Sequence, residues 1–291
     1  MPTPNSLPHA IHEILQSAQQ QLIAAGLTDS PRLDAELLLC HALNVSRTYL
    51  FTWPEQTLNT EQLKKFPPLL TQRLQGHPIA HILGEREFWG LSLIVTQNTL
   101  IPRPDTETLV EAALTRLPNK SKKEITVLDL GTGSGAIALA LKSERPDIDI
   151  TAVDYSQHAL EIAKQNAQKH QLNIQFLHSD WFSALNTSNK LFDCIVSNPP
   201  YIEDKDPHLT QGDVRFEPLS ALTSGKEGLD DIQIIVQHAP LHLKPQGWLL
   251  IEHGYHQAKA IAEIFRANHF INIQLQHDLA GQPRVTLGQR A

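Results

Sequence analysis

The segment Asn198-Pro199-Pro200-Tyr201 carries the most specific chemistry in this 291-residue chain. It follows the apolar run Phe192–Ser197, which reads as a buried strand. The segment therefore stands at a carboxyl strand edge, where open α/β sheets bind ligands. A proline pair inside a sheet would cost ladder hydrogen bonds, so these residues must form a rigid loop. Proline has no N–H, which leaves the loop carbonyls as acceptors without competing donors. With the Asn198 side-chain oxygen they can hold both N–H bonds of a planar NH2 group, and Tyr201 can cover that group by stacking. Such a set suits methyl transfer to an amide or aromatic amine nitrogen. An amide lone pair is delocalised, so orienting both protons must favour rehybridisation as the nitrogen attacks. Positioning of this kind supplies on the order of several kcal/mol. No strong general base is demanded, because the methylated nitrogen becomes acidic once it is cationic. Cys194, inside the strand, reads as core rather than nucleophile.

A second cluster lies upstream. Asp129-Leu130-Gly131-Thr132-Gly133-Ser134-Gly135 follows an apolar strand and opens a helix. Glycines let the backbone turn sharply and approach a ligand, and the helix start offers free N–H groups. Asp154 ends the next strand, 19 residues after Gly135, where a carboxylate can accept both hydroxyls of a ribose. Asp180 and Trp181 follow the third strand, placed to accept from an adenine amino group and to flank the ring. The glycine spacing is not the fingerprint that cradles a pyrophosphate. Asp129, just before the loop, is expected to meet an ammonium. Three carboxylates suit a cationic ligand without pyrophosphate, so S-adenosylmethionine is favoured over a dinucleotide.

Other candidates are less specific. Arg103, Asp105 and Glu107 precede a helix and could line the substrate entrance, brace the cofactor loop or cap the helix. Glu217, in Phe216-Glu217-Pro218, could help shape the acceptor channel. Glu252 ends the fifth strand and is expected to brace the pocket. The 15 histidines show no ligand spacing with cysteines or acids, and no metal site is expected at His253 and His256.

Two kinds of element must position these groups. Residues 9–84 read as short amphipathic helices, stable only when packed as a bundle. A stripe of Ile11, Ile14, Leu15, Ala18, Leu22 and Ile23 marks the first. Ser30-Pro31 starts the second, with Leu33, Leu37, Leu38 and Ala42 on its apolar face. A further helix spans Thr60 to Gly76, with Pro67-Pro68 expected to interrupt it. Residues 85–103 read as a hairpin or linker. From Ile125 strands and helices alternate to the end of the chain, which specifies a mostly parallel sheet with helices on both faces. The expected domains are therefore 1–84, helical, and 104–291, an α/β catalytic domain of the class I methyltransferase type with seven strands. Residues 198–228 lack periodicity, and a loop of that length beyond a strand reads as functional.

Composition narrows the partners. The net charge of −7 argues against a broad basic grip on nucleic acid. Two cysteines cannot form a disulfide scaffold, and the chain shows neither a leader at Met1-Pro2-Thr3-Pro4 nor a membrane span, so a cytoplasmic monomer is expected.

Taken together, these motifs closely resemble the bacterial peptide chain release factor N5-glutamine methyltransferases. The resemblance covers nearly the whole chain. It includes Ile101-Pro102-Arg103-Pro104-Asp105-Thr106-Glu107, the 129–135 loop, Ser197-Asn198-Pro199-Pro200-Tyr201-Ile202 and Gly212-Asp213-Val214-Arg215-Phe216-Glu217-Pro218. It implies a methyl acceptor that is the glutamine amide of a Gly-Gly-Gln motif in class 1 release factors, held with help from the helical domain. It implies cofactor contacts at Gly131 to Gly135, Asp154, Trp181 and Asn198, and substrate contacts at Asn198, Pro199, Pro200 and Tyr201. His253 stands where many members carry an aliphatic residue. Two other readings share some features. A nucleic-acid adenine N6 methyltransferase would use a similar loop, but must extrude a base and neutralise phosphates. A noncatalytic docking protein would have no need of an intact acceptor loop.

Overall fold

The computed structural model describes residues 10–118, 125–185 and 190–291; Met1 to His9, with the expected helix start, lie outside them. The chain divides into two compact units. One runs to Gly84 and takes in Gln211–Phe216. The other comprises Glu85–Thr210 and Glu217–Ala291.

The first unit packs α1 (Ile11–Ala24), α2 (Pro31–Leu43), α3 (Arg47–Thr52), α4 (Thr60–Leu74) and α5 (Ile79–Leu83). Its core includes Ile11, Leu15, Leu22, Leu38 and Leu39, all nearly or fully buried. The faces differ from expectation in two places. Ile23 and Leu33 are exposed, whereas Asp34 and Glu36 of α2 are buried. The buried acids are matched by arginines: Arg73 Nε donates to Asp34 at 2.7 Å, and Arg32 and Arg47 each reach Glu36 at 2.7 Å. Helix α4 also runs through Pro67 and Pro68 without interruption. Asn59 and Gln62 form a reciprocal cap at its start, and Phe66, Leu70 and Arg73 bury one continuous face. That packing offsets the two lost intrahelical bonds.

The second unit opens with the hairpin β1 (Glu85–Phe88) and β2 (Leu91–Ile94). The hairpin is an integral part of this unit. The fully buried Asn166 accepts the Ile94 N–H at 2.7 Å and donates to the carbonyls of Ile94 and Ser134. Glu107 accepts the Trp89 N–H at 3.0 Å. After helix α6 (Glu107–Arg116) come β3 (Thr126–Leu130), α7 (Ala136–Glu144), β4 (Asp149–Asp154), α8 (Gln157–Lys169), β5 (Gln175–His178) and β6 (Phe192–Ser197). The chain continues through α9 (Asp230–His242), β7 (Leu243–Glu252), α10 (Ala258–Ala267), β8 (Phe270–His277) and β9 (Pro283–Arg290). Seven strands form one sheet in the order β5-β4-β3-β6-β7-β9-β8, parallel up to β7 and antiparallel thereafter. Strand β3 is buried at every position, as a central parallel strand must be. The chain leaves β3 towards β4 and later returns to its other side as β6. The carboxyl ends of β3 and β6 thus flank the point where strand order reverses, the usual ligand crevice of this architecture.

Candidate active site

Two strand ends set the site's geometry. Ser197, the last residue of β6, donates its hydroxyl to the Leu130 carbonyl at 2.8 Å, tying the two ends together. The chain after β3 turns through Gly131 and Gly133, both in the left-handed region at φ +71 and +56. Only glycine takes these conformations without strain. The turn is pinned to β4, because the Gly131 and Thr132 amides both donate to the Val153 carbonyl at 2.9 Å. The Gly133 N–H donates to Asp154 Oδ2 at 2.8 Å.

A cavity of about 490 Å³ opens here. Its walls include Gly131, Gly133, Asp154, Asp180, Trp181, Asn198 and Pro200, so it joins the two clusters that the sequence pointed to separately. The remaining expected residues lie elsewhere and serve the frame. Thr132 is buried and donates its hydroxyl to Asp129 Oδ2 at 2.6 Å. Ser134 is buried, with its carbonyl held by Asn166. Gly135 caps α7 and packs against Leu139 and Ala163. Pro199 is buried and Tyr201 half-buried, and neither lines the cavity. Arg103 forms an ion pair with Glu217, whose other oxygen accepts the Ile101 N–H at 2.9 Å. This pair fixes the 101–103 backbone, since Glu217 is buried and also lies outside the lining.

The carboxylates have different surroundings. Asp154 Oδ1 accepts the Ser156 N–H at 2.8 Å, so each of its oxygens receives a backbone amide. Burial raises its pKa, and the two amides oppose the rise. Asp129 is fully buried beneath the loop and does not line the cavity. Burial pushes its carboxyl up to about 7, opposed by the Thr132 hydroxyl and the Ala138 backbone amide. The expected carboxylate trio is therefore rearranged: Asp231 joins Asp154 and Asp180 in the cavity wall, while Asp129 stands behind it. Asp231 Oδ1 accepts from the Trp181 indole at 3.2 Å. Trp181 itself sits at φ +43, an uncommon conformation for a bulky side chain, stabilised by that bond and by its contact with Gly131. Sequence reasoning had no signal for Asp231, which lies on a helix 50 residues further along the chain. Tyr155 and Ser156, next to Asp154, also line the cavity and could have been found from that adjacency.

The acceptor loop is held from several directions. The Tyr201 and Ile202 amides donate to the Leu222 carbonyl at 3.2 and 2.9 Å. The buried Gln257 donates to the Tyr201 carbonyl at 3.0 Å. Gly228 comes so close that a Cβ there would lie 2.2 Å from the Tyr201 carbonyl oxygen. Asn198 donates its amide to the Thr106 hydroxyl at 3.2 Å, and the Tyr201 hydroxyl donates to Glu252 Oε1 at 3.4 Å. Burial pushes Glu252 up to about 7 and raises Tyr201 as well. His253 is buried between the Gly254 carbonyl and the Thr286 hydroxyl and is pushed down to about 4, so it stays neutral at physiological pH.

These groups fit S-adenosylmethionine. The cavity wall carries three carboxylates and neither lysine nor arginine. Behind it lies a fourth carboxylate, the buried Asp129. Such a site favours a ligand with cationic centres over a pyrophosphate. Asp154, Gly133, Asp180 and Trp181 line the cavity and could hold it.

Comparison with known proteins agrees with this geometry. The family described as "PrmC N-terminal domain" matches residues 13–84, and "Methyltransferase small domain" matches residues 105–214. The crystal structure of a methyltransferase from Pyrococcus furiosus superimposes with a TM-score of 0.53 at 16% identity, covering 78% of this chain and 100% of that one. That likeness shows the fold. The release factor glutamine methyltransferase of Vibrio cholerae is 51% identical over 280 residues, which is 96% of each chain. The protein of the same description from Aliivibrio fischeri is 48% identical over 281 residues, 96% of this chain and 97% of that one. Full-length identity at this level, over a fold and cavity built for methyl transfer, places the chain in the release factor glutamine methyltransferase family.

Proposed function

We propose that Asn198, Pro199, Pro200 and Tyr201 present the substrate amide in the reaction of this S-adenosylmethionine-dependent enzyme. The enzyme methylates the side-chain nitrogen of the glutamine in the Gly-Gly-Gln motif of class 1 peptide chain release factors. When bound, S-adenosylmethionine supplies a sulfonium methyl group as the electrophile. The observation that carries the residue assignment is that Asn198 and Pro200 share one cavity wall with Gly133 and Asp154. Asn198 Oδ1 has no hydrogen-bond partner among the described residues, so it is available to accept one substrate N–H. A carbonyl of the proline pair accepts the other. Tyr201 supports this arrangement through its hydroxyl, and the rigid loop keeps the acceptors in place before substrate arrives. The new N–C bond would form as the sulfonium S–C bond breaks to leave a neutral thioether, and the cationic glutamine nitrogen would then lose one proton to solvent, so the chain need supply only orientation.

Arg103 and Glu217 act in this reading as a brace at the substrate side. The helical unit contributes to holding the release factor. We further propose a cytoplasmic monomer with no stable nucleic-acid partner; no helix among the described residues is long and apolar enough to cross a membrane. The test is incubation of the protein with radiolabelled methyl donor and an unmodified release factor, followed by mass spectrometry of the product. A methyl group on the glutamine amide is expected. Label on nucleic acid, with none on the factor, would overturn the reading.

A further inference from the structure

Three side chains from distant stretches meet beside the acceptor loop. Thr106, in the turn before α6, and Glu252, at the end of β7, are both almost completely buried. Thr106 Oγ1 accepts from Asn198 Nδ2 at 3.2 Å, and Thr106 lies near enough to the Glu252 carboxylate to favour its ionised form. Tyr201 also donates to Glu252, and Glu252 Oε2 has no geometric partner of its own. A threonine hydroxyl has one proton, whereas an ionised carboxylate only accepts. If Glu252 takes the Thr106 proton, Thr106 can only accept from Asn198. The Asn198 NH2 must then turn towards Thr106, which leaves Oδ1 as the end that faces substrate.

We propose that Thr106 and Glu252 are positioning residues that select the acceptor end of the Asn198 amide for the substrate N–H. This rests on the methyl-transfer reading above. Without the pair, the two amide orientations would be close in energy, and one of them presents a donor to a donor. The charged and titratable groups facing Glu252 are Arg284 from β9, Asp105 from the turn before α6, and Tyr201. Arg284 is drawn off by ion pairs to Asp105 and Asp278, each at 3.0 Å. Burial therefore dominates and keeps the carboxyl near 7. Protonated Glu252 can itself donate to Thr106, which frees the threonine proton for Asn198 and removes the selection. Turnover should accordingly rise as pH increases through about 7.

The experiment uses the full chain and an unmodified release factor, measuring kcat, KM and cofactor Kd from about pH 6 to about 8.5. Thr106→Val should lower kcat by about 10- to 100-fold, with cofactor Kd within about threefold. Thr106→Ser, which restores the hydroxyl, should stay within about threefold of wild-type kcat. In Glu252→Gln the amide oxygen accepts at every pH, so the low-pH limb of kcat should flatten. Wild-type turnover in Thr106→Val, or Thr106→Ser as slow as Thr106→Val, would overturn the proposal. An unchanged limb in Glu252→Gln would do the same, even if Thr106→Val fails to bind cofactor. A wild type inert towards the release factor would instead remove the functional reading on which the proposal stands.

Discussion

The loop after β3 and the loop after β6 meet at one cavity, yet they are held by opposite means. On the first side, Asp154 at the end of β4 receives backbone amides, one from its neighbour Ser156 and one from Gly133 in the turn after the adjacent strand β3. On the second, Asn198 leans on Thr106, Tyr201 on Glu252, and the loop backbone on Leu222 and Gln257. Leu222 belongs to the same long loop, whereas Thr106, Glu252 and Gln257 come from the turn before α6, the end of β7 and the approach to α10. Each region has a carboxylate at a strand end, Asp154 in the cavity wall and Glu252 almost completely buried. Asp154 receives a backbone amide on each oxygen, whereas Glu252 accepts from the side-chain hydroxyl of Tyr201 at 3.4 Å. In the reading proposed above the first side holds the same cofactor in every turnover, and backbone bonds between two adjacent strand ends suffice to shape it. An acceptor site must present one end of an amide and not the other, which takes side chains that only the tertiary fold can bring together.

The comparison can be broken most directly at Asn198. Asn198→Ala removes the acceptor proposed for the substrate N–H, so kcat should fall by about 100- to 1,000-fold, with a much smaller change in cofactor affinity. Equal losses in both, measured by steady-state kinetics and calorimetry, would show that the two sides are not separable.

Glu252 tests the cost of the acceptor side. Its folded pKa of about 7 lies above the ordinary carboxylate value. The folded state therefore binds the proton more tightly, and wild-type stability falls as pH rises from the unfolded value through about 7. Above that window the ionised carboxylate costs about 3 kcal/mol. Glu252→Gln should gain on wild type by about that amount between acid and mildly alkaline pH, read as the difference in denaturant midpoints; a constant difference would refute the assignment.

Asp154→Ala removes the acceptor of two backbone amides in the cofactor wall. Cofactor Kd should weaken by about 10- to 100-fold, with kcat at saturation changed far less. The smallest effect is expected for Trp181→Phe, which keeps the ring but loses the indole bond to Asp231. About 1 kcal/mol in cofactor binding should be lost, visible by calorimetry.

Much of this architecture was legible beforehand, for local reasons. Strand β3 is apolar throughout because both faces are covered, and Ser156 caps α8 by accepting the Ala159 N–H, as its type and place suggest. The glycine turn was readable because positive φ demands glycine there. The helical unit was less transparent. The periodicity of α2 points Leu33 inward, yet Asp34 and Glu36 take the buried positions because Arg73 and Arg47 from other helices, with Arg32 one turn earlier in α2, pair with them. The proline pair in α4 reads as a break, yet a reciprocal cap and a buried face hold the helix whole.

By itself, the sequence determined the order of strands and helices, the glycine turn, the strand-end Asp154 and the proline loop at Asn198. Each of these depends on residues within one turn or one strand of each other, where the chain's own stereochemistry decides. Only the tertiary structure decided which residues reach the cavity. It set Thr132, Ser134 and Gly135 to framing, placed Asp231 where Asp129 was expected, and joined Arg103 to Glu217. It also brought Thr106, Glu252 and Asn198 together, although 92 residues separate Thr106 from Asn198. The physical reason is that a buried polar group needs a partner at hydrogen-bond distance, and sequence separation says nothing about which group will stand there.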